Sequence, residues 1–233
     1  MDKFTIVIPV YNEAKNLQIL VPKIYKVLKN IKFELIIVDD NSRDDTSKIL
    51  KKFKKKNLHH LVRKKKRDLY KSCIDGFKKA KYKDIVVMDG DLQHKPSDLK
   101  KILNIFYKYN TDVVVGTRDL FADKEHNLNF LRLIASRTLI LIVNILLGRK
   151  TSDPMSGFFM FKKKIFIKSQ EKLIKKGYKI LLDLLYVKDQ KIKVIDVNIN
   201  FDSRMKGRSK MSLKILFNLV YMILKKFVSE KVL

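Results

Sequence analysis

The chain has one cysteine, no tryptophan, four prolines and seven glycines among its 233 residues. Because its only cysteine is Cys73, an internal disulfide framework is excluded, and the chain fits a reducing compartment. The longest uncharged apolar run, Thr138–Leu147, is far shorter than the ~20 residues that a helix needs to cross a bilayer. No secretory signal is expected, because Met1, Asp2 and Lys3 lead straight into a strand pattern. Since no Gly- or Pro-rich linker interrupts the chain, we expect one large domain, or one domain with an appendage.

Acidic residues are scarce as well: 24 of them face 52 lysines and arginines, which gives a formal net charge of +28. Lysine recurs in almost every segment, and this even spread favours a compositional bias on a solvated surface. Attraction to an anionic membrane is the second interpretation, because lysines near such a surface gain roughly 1 kcal/mol each. Nucleic-acid binding is the third. No known nucleic-acid-binding motif is present in the sequence, so no nucleic-acid partner is expected.

The apolar pattern predicts strands that alternate with helices. Strands are expected at Phe4–Pro9, Phe33–Val38, Leu58–Val62, Asp84–Met88 and Asp112–Gly116. Helices are expected between them, at Glu13–Leu28, Asp44–Phe53, Ser72–Ala80 and Ser97–Tyr107. This alternation predicts an α/β fold, with a mainly parallel central sheet covered by helices on both faces.

Mostly polar residues stand at the carboxyl ends of four of these strands, at the edge where ligands bind in such sheets. They are Pro9, Tyr11, Asn12 and Glu13 after the first strand, Asp39 and Asp40 after the second, Asp89, Asp91 and Gln93 after the fourth, and Thr117 and Arg118 after the fifth. Loops are polar in any protein, but this number of carboxylates beside one arginine is less common. A nucleotide diphosphate with its metal ion would account for both signs of charge.

Residues 86–94, VVMDGDLQH, carry the strongest chemical signal. The predicted strand delivers Asp89 and Asp91 to its carboxyl end, with Gln93 just beyond. Carboxylate and amide oxygens suit a hard divalent cation, Mg²⁺ or Mn²⁺, which is most useful where it neutralises a diphosphate. Gly90 would let the backbone approach a bulky ligand. A solvated Asp-Gly-Asp turn is the simpler interpretation of this segment alone, but the carboxylates after the other strands favour the metal site.

Six segments, in order along the chain, resemble the family 2 glycosyltransferases of the GT-A fold. The segments are IVIPVYNEAKNL, IIVDDNSRDDT, VVMDGDLQH, VVVGTR, SDPMSGF and GRSK. Within that family the chain is most similar to the dolichyl-phosphate (polyprenyl-phosphate) mannosyltransferases. The resemblance implies a GT-A nucleotide-diphospho-sugar transferase domain over residues 1–210. Residues 211–233 would then form a C-terminal apolar and basic amphipathic helix at a membrane interface.

The resemblance also implies a role for each matching residue. The donor nucleotide sugar would be bound by Pro9, Tyr11, Glu13, Val38, Asp40, Asp89, Gly90, Asp91, Arg118, Lys179, Arg204 and Lys210. The metal would be bound by Asp89, Asp91 and Gln93. The acceptor phosphate would be bound by Arg118, Arg132 and Ser136. The catalytic residues would be Asp91, Arg118 and Asp153, the last of them in the acceptor loop Ser152–Phe158. The i, i+4 spacing of Arg132 and Ser136 would place both on one helix face.

The reaction implied is the inverting transfer of mannose from GDP-mannose to a polyprenyl phosphate, which yields a β-linked lipid phosphate sugar. Such a phosphate is already an anion at neutral pH and needs no strong general base. The barrier lies instead in bringing two anions together and in the leaving diphosphate, which a metal and basic side chains address. The chain would act at the cytoplasmic face of a membrane, attached peripherally.

Other functions stay open at the level of the sequence. The alternatives within the same fold are a UDP-sugar as donor, or transfer to a glycan hydroxyl, which needs a general base such as Asp153. A basic nucleic-acid-binding module and an inactive sugar-nucleotide sensor are alternatives of a different class. One departure from the family weakens the assignment of the donor: Arg67–Tyr70 stands where relatives carry a glycine-rich turn.

Overall fold

The structure is a computed structural model that describes residues 3–118, 130–174, 179–187, 190–200 and 220–228, with the backbone alone for 130–136. Its strands are β1 (Phe4–Val10), β2 (Phe33–Asp39), β3 (Leu58–Val62), β4 (Asp84–Val87), β5 (Val113–Thr117), β6 (Phe159–Lys162) and β7 (Val194–Asn198). Its helices are α1 (Ala14–Val27), α2 (Thr46–Lys52), α3 (Leu69–Lys79), α4 (Asp98–Lys108), α5 (Phe130–Leu147), α6 (Lys163–Ser169) and α7 (Ile180–Leu185). A further helix, α8, covers residues 220–228.

The strands form one sheet in the order β3-β2-β1-β4-β6-β5-β7. All neighbouring pairs are parallel except those of β6, which runs antiparallel to both β4 and β5. The predicted α/β fold with a mainly parallel sheet is therefore confirmed. The reversed strand β6 was not predicted. It matters for function because the segment that enters β6, residues 151–158, arrives at the carboxyl ends of β4 and β5.

The sheet is buried on both faces, as the continuous apolar runs predicted. In β1, Ile6 and Ile8 pack with helices α1 and α4, whereas Val7 packs on the opposite face with α3. Successive strand residues point to opposite faces, so one strand supplies both cores. Every residue of β1 and of β2 is buried, which is typical of central strands in a parallel sheet.

Helix α8 packs on the same face as α3 and α7. Its Met222 and Ile223 are each 1% exposed and belong to the core of that face. Lys226 forms a buried ion pair, with 2.6 Å between its Nζ and Oδ1 of Asp183. The other oxygen of Asp183 accepts a hydrogen bond from the Tyr70 hydroxyl at 2.7 Å. Over its described residues, the segment predicted as an appendage therefore shares the core of the domain.

Helices α5 and α8 each leave apolar side chains in solvent. On α5, Leu141 and Ile145 are 58% and 71% exposed, while Val143 between them is fully buried. On α8, Tyr221 and Leu224 are about half exposed. Both helices therefore carry apolar side chains on the face outside the core as well as on the face inside it. Among the described residues, no helix has the length and apolar character needed to cross a membrane.

Candidate functional site

The loops after β1 and β2 are fastened to each other at the carboxyl edge of the sheet. Asn12 and Asn41 adopt positive φ angles of 57° and 61°, which asparagine tolerates better than most residues. The Asn12 N–H donates to the Ser42 hydroxyl at 2.8 Å, and the Arg43 N–H donates to the Asn12 side-chain oxygen at 2.8 Å. This contact fixes the backbone beside Tyr11, whose half-buried side chain lies at the edge as predicted.

Asp40 is buried at this edge and is held by protein donors. The guanidinium of Arg63 donates to one of its oxygens, and the Asp68 N–H donates to the other at 2.6 Å. Arg63 is itself only 5% exposed and also donates from Nε to Asp75 at 2.8 Å. Burial raises the pKa of the Asp40 carboxyl, and the contacts with Asp68 and Arg63 offset part of that rise. The carboxylate is thus engaged before any nucleotide binds, and the donor role of Asp40 stays a prediction.

A basic cleft opens on the outer side of Arg63, along the free edge of the sheet. It is lined by Leu61, Val62, Arg63, Lys64, Lys65, Asp75, Lys78 and Lys79. None of the carboxylates after β4 lines this cleft, so it is separate from the predicted metal site. Its lysines agree with the compositional bias inferred from the sequence.

The predicted metal-binding residues lie together after β4. Asp91 and Gln93 are 8% and 7% exposed, and the Gln93 N–H donates to Oδ1 of Asp91 at 3.2 Å. The Asp89 side chain is more open, at 41% exposure. Leu92 has a φ of 66°, so the chain turns sharply between the second aspartate and the glutamine. In the part of the chain that the structure describes, no three His, Cys, Asp or Glu side chains group as a metal centre. The donors here are two carboxylates and an amide, a set of hard oxygen ligands.

Gly90 packs closely against the neighbouring strand β1. A Cβ added at this position would lie 2.8 Å from Cγ1 of Val10, and 3.4 Å from Cγ2 of Ile8. The missing side chain thus makes room for β1. The contact of Gly90 with a donor nucleotide sugar stays a prediction.

Gly157 and His94 surround the Asp89 carboxylate. A Cβ added at Gly157 would lie 2.7 Å from Cγ of Asp89, so the acceptor loop and the predicted metal-binding loop are in direct contact. His94 follows Gln93, is 1% exposed and has its Nε2 3.6 Å from Oδ2 of Asp89. The His94 ring also lies against Phe158, with 5.2 Å between the ring centroids. Asp89 is therefore positioned by the segment that enters the reversed strand β6.

Gly157→Ala should displace the Asp89 carboxylate, because the new methyl group would occupy its place. We expect the catalytic rate to fall by about two orders of magnitude, the usual cost of misplacing a catalytic group by about 1 Å. Steady-state kinetics would measure this loss. Gly148→Ala is the control, since a Cβ there meets nothing within 4 Å and only backbone strain changes at its φ of 76°. Full activity in Gly157→Ala would contradict the assigned position of Asp89.

Arg118 and Asp153 form a two-pronged ion pair at the same edge, in which Asp153 is buried and Arg118 is partly exposed. Arg118 donates from Nε and Nη2 to the two oxygens of Asp153, at 2.7 and 2.9 Å. Asp153 is fully buried. Burial raises the pKa of its carboxyl, but the charge and hydrogen bonds of Arg118, with a smaller contribution from Lys179, bring the pKa below its ordinary value. Asp153 is therefore held as a carboxylate that orients Arg118.

The loop over residues 151–158 is held at several points. Asp196 on β7 accepts hydrogen bonds from the Thr151 hydroxyl at 2.5 Å and from the Ser152 N–H at 2.8 Å. The Ser156 hydroxyl donates to the Gly116 carbonyl at 2.6 Å. Lys179 donates from Nζ to the Met155 carbonyl at 2.8 Å, so the predicted donor-binding lysine lies beside this loop. These contacts make the loop a rigid wall of the site.

The remaining predicted site residues are placed less favourably or lie outside the described residues. Pro9 and Val38 are buried within β1 and β2, and the Val38 side chain packs in the core next to Gly76. Their side chains therefore face the core, and their contact with a donor stays a prediction. The backbone of α5 includes Arg132 and Ser136, but their side chains are not among the described ones. Further predicted residues outside the described ranges are Arg204 and Lys210.

Sequence reasoning missed three residues that shape the site. Arg63 lies in a basic run that the sequence presents as surface, and its burial depends on two aspartates distant in sequence. His94 directly follows the predicted metal ligands, and this adjacency was the available signal. The sequence places Gly157 only within the predicted acceptor loop, Ser152–Phe158. Cys73 is buried, and burial raises the pKa of its thiol, so the reactive thiolate is disfavoured.

Comparison with known proteins matches residues 5–169 to the model of glycosyl transferase family 2. Two dolichol-phosphate mannosyltransferases are similar in sequence. That of Pyrococcus furiosus is 34% identical over 92% of this chain, and that of Saccharomyces cerevisiae is 30% identical over 92%. The chain spans 61% of the length of the first relative and 83% of the second.

Among solved structures, glucosyl-3-phosphoglycerate synthase from Mycobacterium tuberculosis superposes with a TM-score of 0.73 at 14% identity. The match covers 98% of this chain and 79% of that one. At this identity the likeness concerns the fold, and it confirms the GT-A architecture expected from the resemblance. The family model covers more than half of the chain, so the chain belongs to glycosyl transferase family 2.

Proposed function

We propose that this protein transfers mannose from GDP-mannose to a polyprenyl phosphate, with inversion at the anomeric carbon. The relatives named dolichol-phosphate mannosyltransferase support the class of acceptor and the sugar. The structural observation that carries the choice of acceptor is the ion pair between Arg118 and the buried Asp153.

A hydroxyl acceptor needs a general base, and Asp153 was the candidate. A good general base has a pKa near the working pH, whereas the pKa of Asp153 is depressed by the Arg118 guanidinium. Both oxygens of Asp153 accept hydrogen bonds from Arg118. The pair is thus poorly suited to remove a proton. It is well suited to hold a guanidinium in a fixed orientation toward an acceptor phosphate. We therefore assign Asp153 a positioning role and favour a phosphate acceptor.

The donor side is suited to a divalent metal. Asp89, Asp91 and Gln93 would hold the ion, since they present hard oxygen donors on one short loop. A structural neighbour was solved with Mn²⁺ and UDP, which supports a metal in this fold without deciding between Mg²⁺ and Mn²⁺. When bound, such an ion stabilises the charge that develops on the leaving diphosphate. The carboxylates would act on that diphosphate only through the ion, whereas Lys179 would attract it directly by its charge.

The proposed reaction is a single displacement. The acceptor phosphate oxygen attacks the anomeric carbon while the bond from that carbon to the nucleoside diphosphate breaks, which inverts the configuration. Arg118 would orient the attacking phosphate and reduce the repulsion between the two anionic substrates. No proton needs to leave the nucleophile. The contribution of the protein is therefore positioning and charge stabilisation.

The test is a transfer assay with radiolabelled GDP-mannose and polyprenyl phosphate in detergent, with Mg²⁺ or Mn²⁺ present. We expect a chloroform-soluble mannolipid whose formation requires the metal and stops on chelation with EDTA. UDP-glucose in place of GDP-mannose tests the alternative donor. If only UDP-glucose gives a product, the proposed donor is wrong, but the proposed class of reaction stands. Transfer to a glycan hydroxyl, but not to the lipid phosphate, would overturn the proposal.

We place the glycosyltransferase domain at residues 1–210 and an interfacial helix at 211–233, of which α8 is the described part. The exposed apolar faces of α5 and α8 and the net charge of +28 support attachment to an anionic membrane, at its cytoplasmic face.

Tyr221→Glu with Leu224→Glu should reduce co-flotation with vesicles of phosphatidylcholine and phosphatidylglycerol, because two charges enter the proposed membrane face. Deletion of residues 211–233 is a poorer test, since it also removes Lys226 and leaves Asp183 buried without that partner. Ile167→Glu is the control, because Ile167 on α6 is 56% exposed and equally apolar. Unchanged flotation of the double variant would remove α8 from the membrane interface.

A further inference from the structure

The segment that joins β3 to α3 is fastened to the predicted nucleotide site at two points. The guanidinium carbon of Arg67 lies 4.5 Å from the centroid of the Tyr11 ring. The next residue, Asp68, donates its backbone N–H to Asp40 at 2.6 Å. The Asp68 side chain also accepts a hydrogen bond from the Lys71 N–H, so it caps α3 and fixes the end of the segment. Arg67 is thereby held over a residue assigned to the donor base.

The contact with the Tyr11 ring keeps the Arg67 side chain in this position. It is exposed, and within the part of the chain that the structure describes no carboxylate pairs with it. Arg63, four residues earlier, differs in this respect because its donors are taken by Asp40 and Asp75. A cation–π contact at an exposed site is weak, so a ligand with better acceptors can displace the guanidinium from the ring. The planar fork of N–H donors on Arg67 is therefore available at the mouth of the predicted base site.

We propose that Arg67 selects the nucleobase of the donor by donating its N–H fork to the O6 and N7 atoms of guanine. These two acceptors lie side by side on one edge of the base and match a guanidinium in a bidentate pair. Uracil offers O4 next to an N–H donor, which would repel the second arm of the fork. The inference rests on the proposed function, because it requires a nucleotide at this edge. It adds a residue that distinguishes GDP-sugars from UDP-sugars.

On binding, the guanidinium leaves the Tyr11 ring and moves to the edge of the base, while the ring stays available for stacking. The flanking contacts to Asp40 and Lys71 keep the backbone of the segment in place, so a side-chain rotation is sufficient. A lysine at this position would keep the charge but lose the fork. The contribution of Arg67 is therefore expected to depend on shape more than on charge.

The experiment measures dissociation constants of the full chain for GDP and for UDP, with Mn²⁺ present, by isothermal titration calorimetry. Wild type is compared with Arg67→Ala, Arg67→Lys and Lys66→Ala. Lys66→Ala is the matched control, because Lys66 is exposed and lies next to Arg67, and its replacement removes the same charge. We expect Arg67→Ala to weaken GDP by about tenfold or more, the effect of losing one bidentate base contact. The dissociation constant for UDP should change less than about twofold. The GDP affinity of Arg67→Lys should be closer to that of Arg67→Ala than to that of wild type.

The ratio of the two affinities within one variant guards against a folding defect, since unfolding lowers both equally. Equal losses for GDP and UDP, or unchanged GDP affinity in Arg67→Ala, overturn this inference while leaving the proposed function intact. Tighter GDP binding in Arg67→Ala also overturns it, because Arg67 would then obstruct the site. A wild-type protein that binds UDP but not GDP overturns both the proposed donor and the role of Arg67.

Discussion

Asp91→Asn should lower the rate of transfer by about a thousandfold, comparable to the largest losses seen when a single charge-stabilising group is removed from an active site. The asparagine keeps an oxygen that accepts the Gln93 N–H, so the local turn is preserved. The substitution removes the negative charge of Asp91. The proposed metal needs this charge to bind at the loop after β4 together with the diphosphate. The effect should therefore appear in turnover, with little change in folding.

Kinetics of mannolipid formation over a range of Mn²⁺ concentrations would measure this effect. Asp45→Asn is a suitable control, because Asp45 is exposed and its side chain makes no capping hydrogen bond to α2. We expect that variant to behave as wild type, and both variants to unfold at similar urea concentrations. Retention of most of the activity in Asp91→Asn would remove the metal from the proposed mechanism.

Replacing Asp153 by alanine should destabilise the protein by about 3–5 kcal/mol, because Arg118 loses its buried partner. Arg118→Leu in the same background should recover part of that loss, since no unpaired charge then remains. Urea unfolding at neutral pH measures both values, and a double-mutant cycle isolates the coupling. Glu171→Ala, at an exposed position, is the control and should be nearly neutral.

The same pair predicts the dependence of stability on pH. The pKa of Asp153 is lower in the folded protein than in the unfolded chain, so folding favours its ionised form. The contribution of the pair is complete above the unfolded pKa, near 4, and is lost as the pH falls through the lower folded value. The difference between wild type and Asp153→Ala should therefore be largest at neutral pH and shrink in acid. A constant difference from pH 7 to pH 3 would contradict the ion pair as its source.

The sequence predicts the parts of this fold that depend on local patterns of apolar and polar residues. The runs at β1 and β2 are largely apolar on both of their faces, which is the pattern of a strand buried on both sides. The aspartates after β4 follow such a run directly, so their place at the carboxyl edge could be inferred from topology. The apolar run Thr138–Leu147 lies within helix α5.

The parts that the sequence does not predict depend on direction and on distant partners. Phe159–Lys162 has a composition that suits a parallel or an antiparallel strand equally, so the reversal of β6 leaves no local trace. The contact between Gly157 and Asp89 follows from that reversal and was equally hidden. Arg63 looks like one of many surface cations until Asp40 and Asp75 are brought to it by the fold.

Lys226 and Asp183 are separated by 43 positions along the chain, and this spacing bears on how the protein is made. Asp183 is synthesised well before Lys226, so its carboxylate has no lysine partner until the later residues are made. Burying an uncompensated charge is costly, and the face formed by α3 and α7 is therefore expected to stay open until α8 emerges. The domain would then complete its folding only after α8 has been synthesised, when the proposed membrane helix can also meet the bilayer.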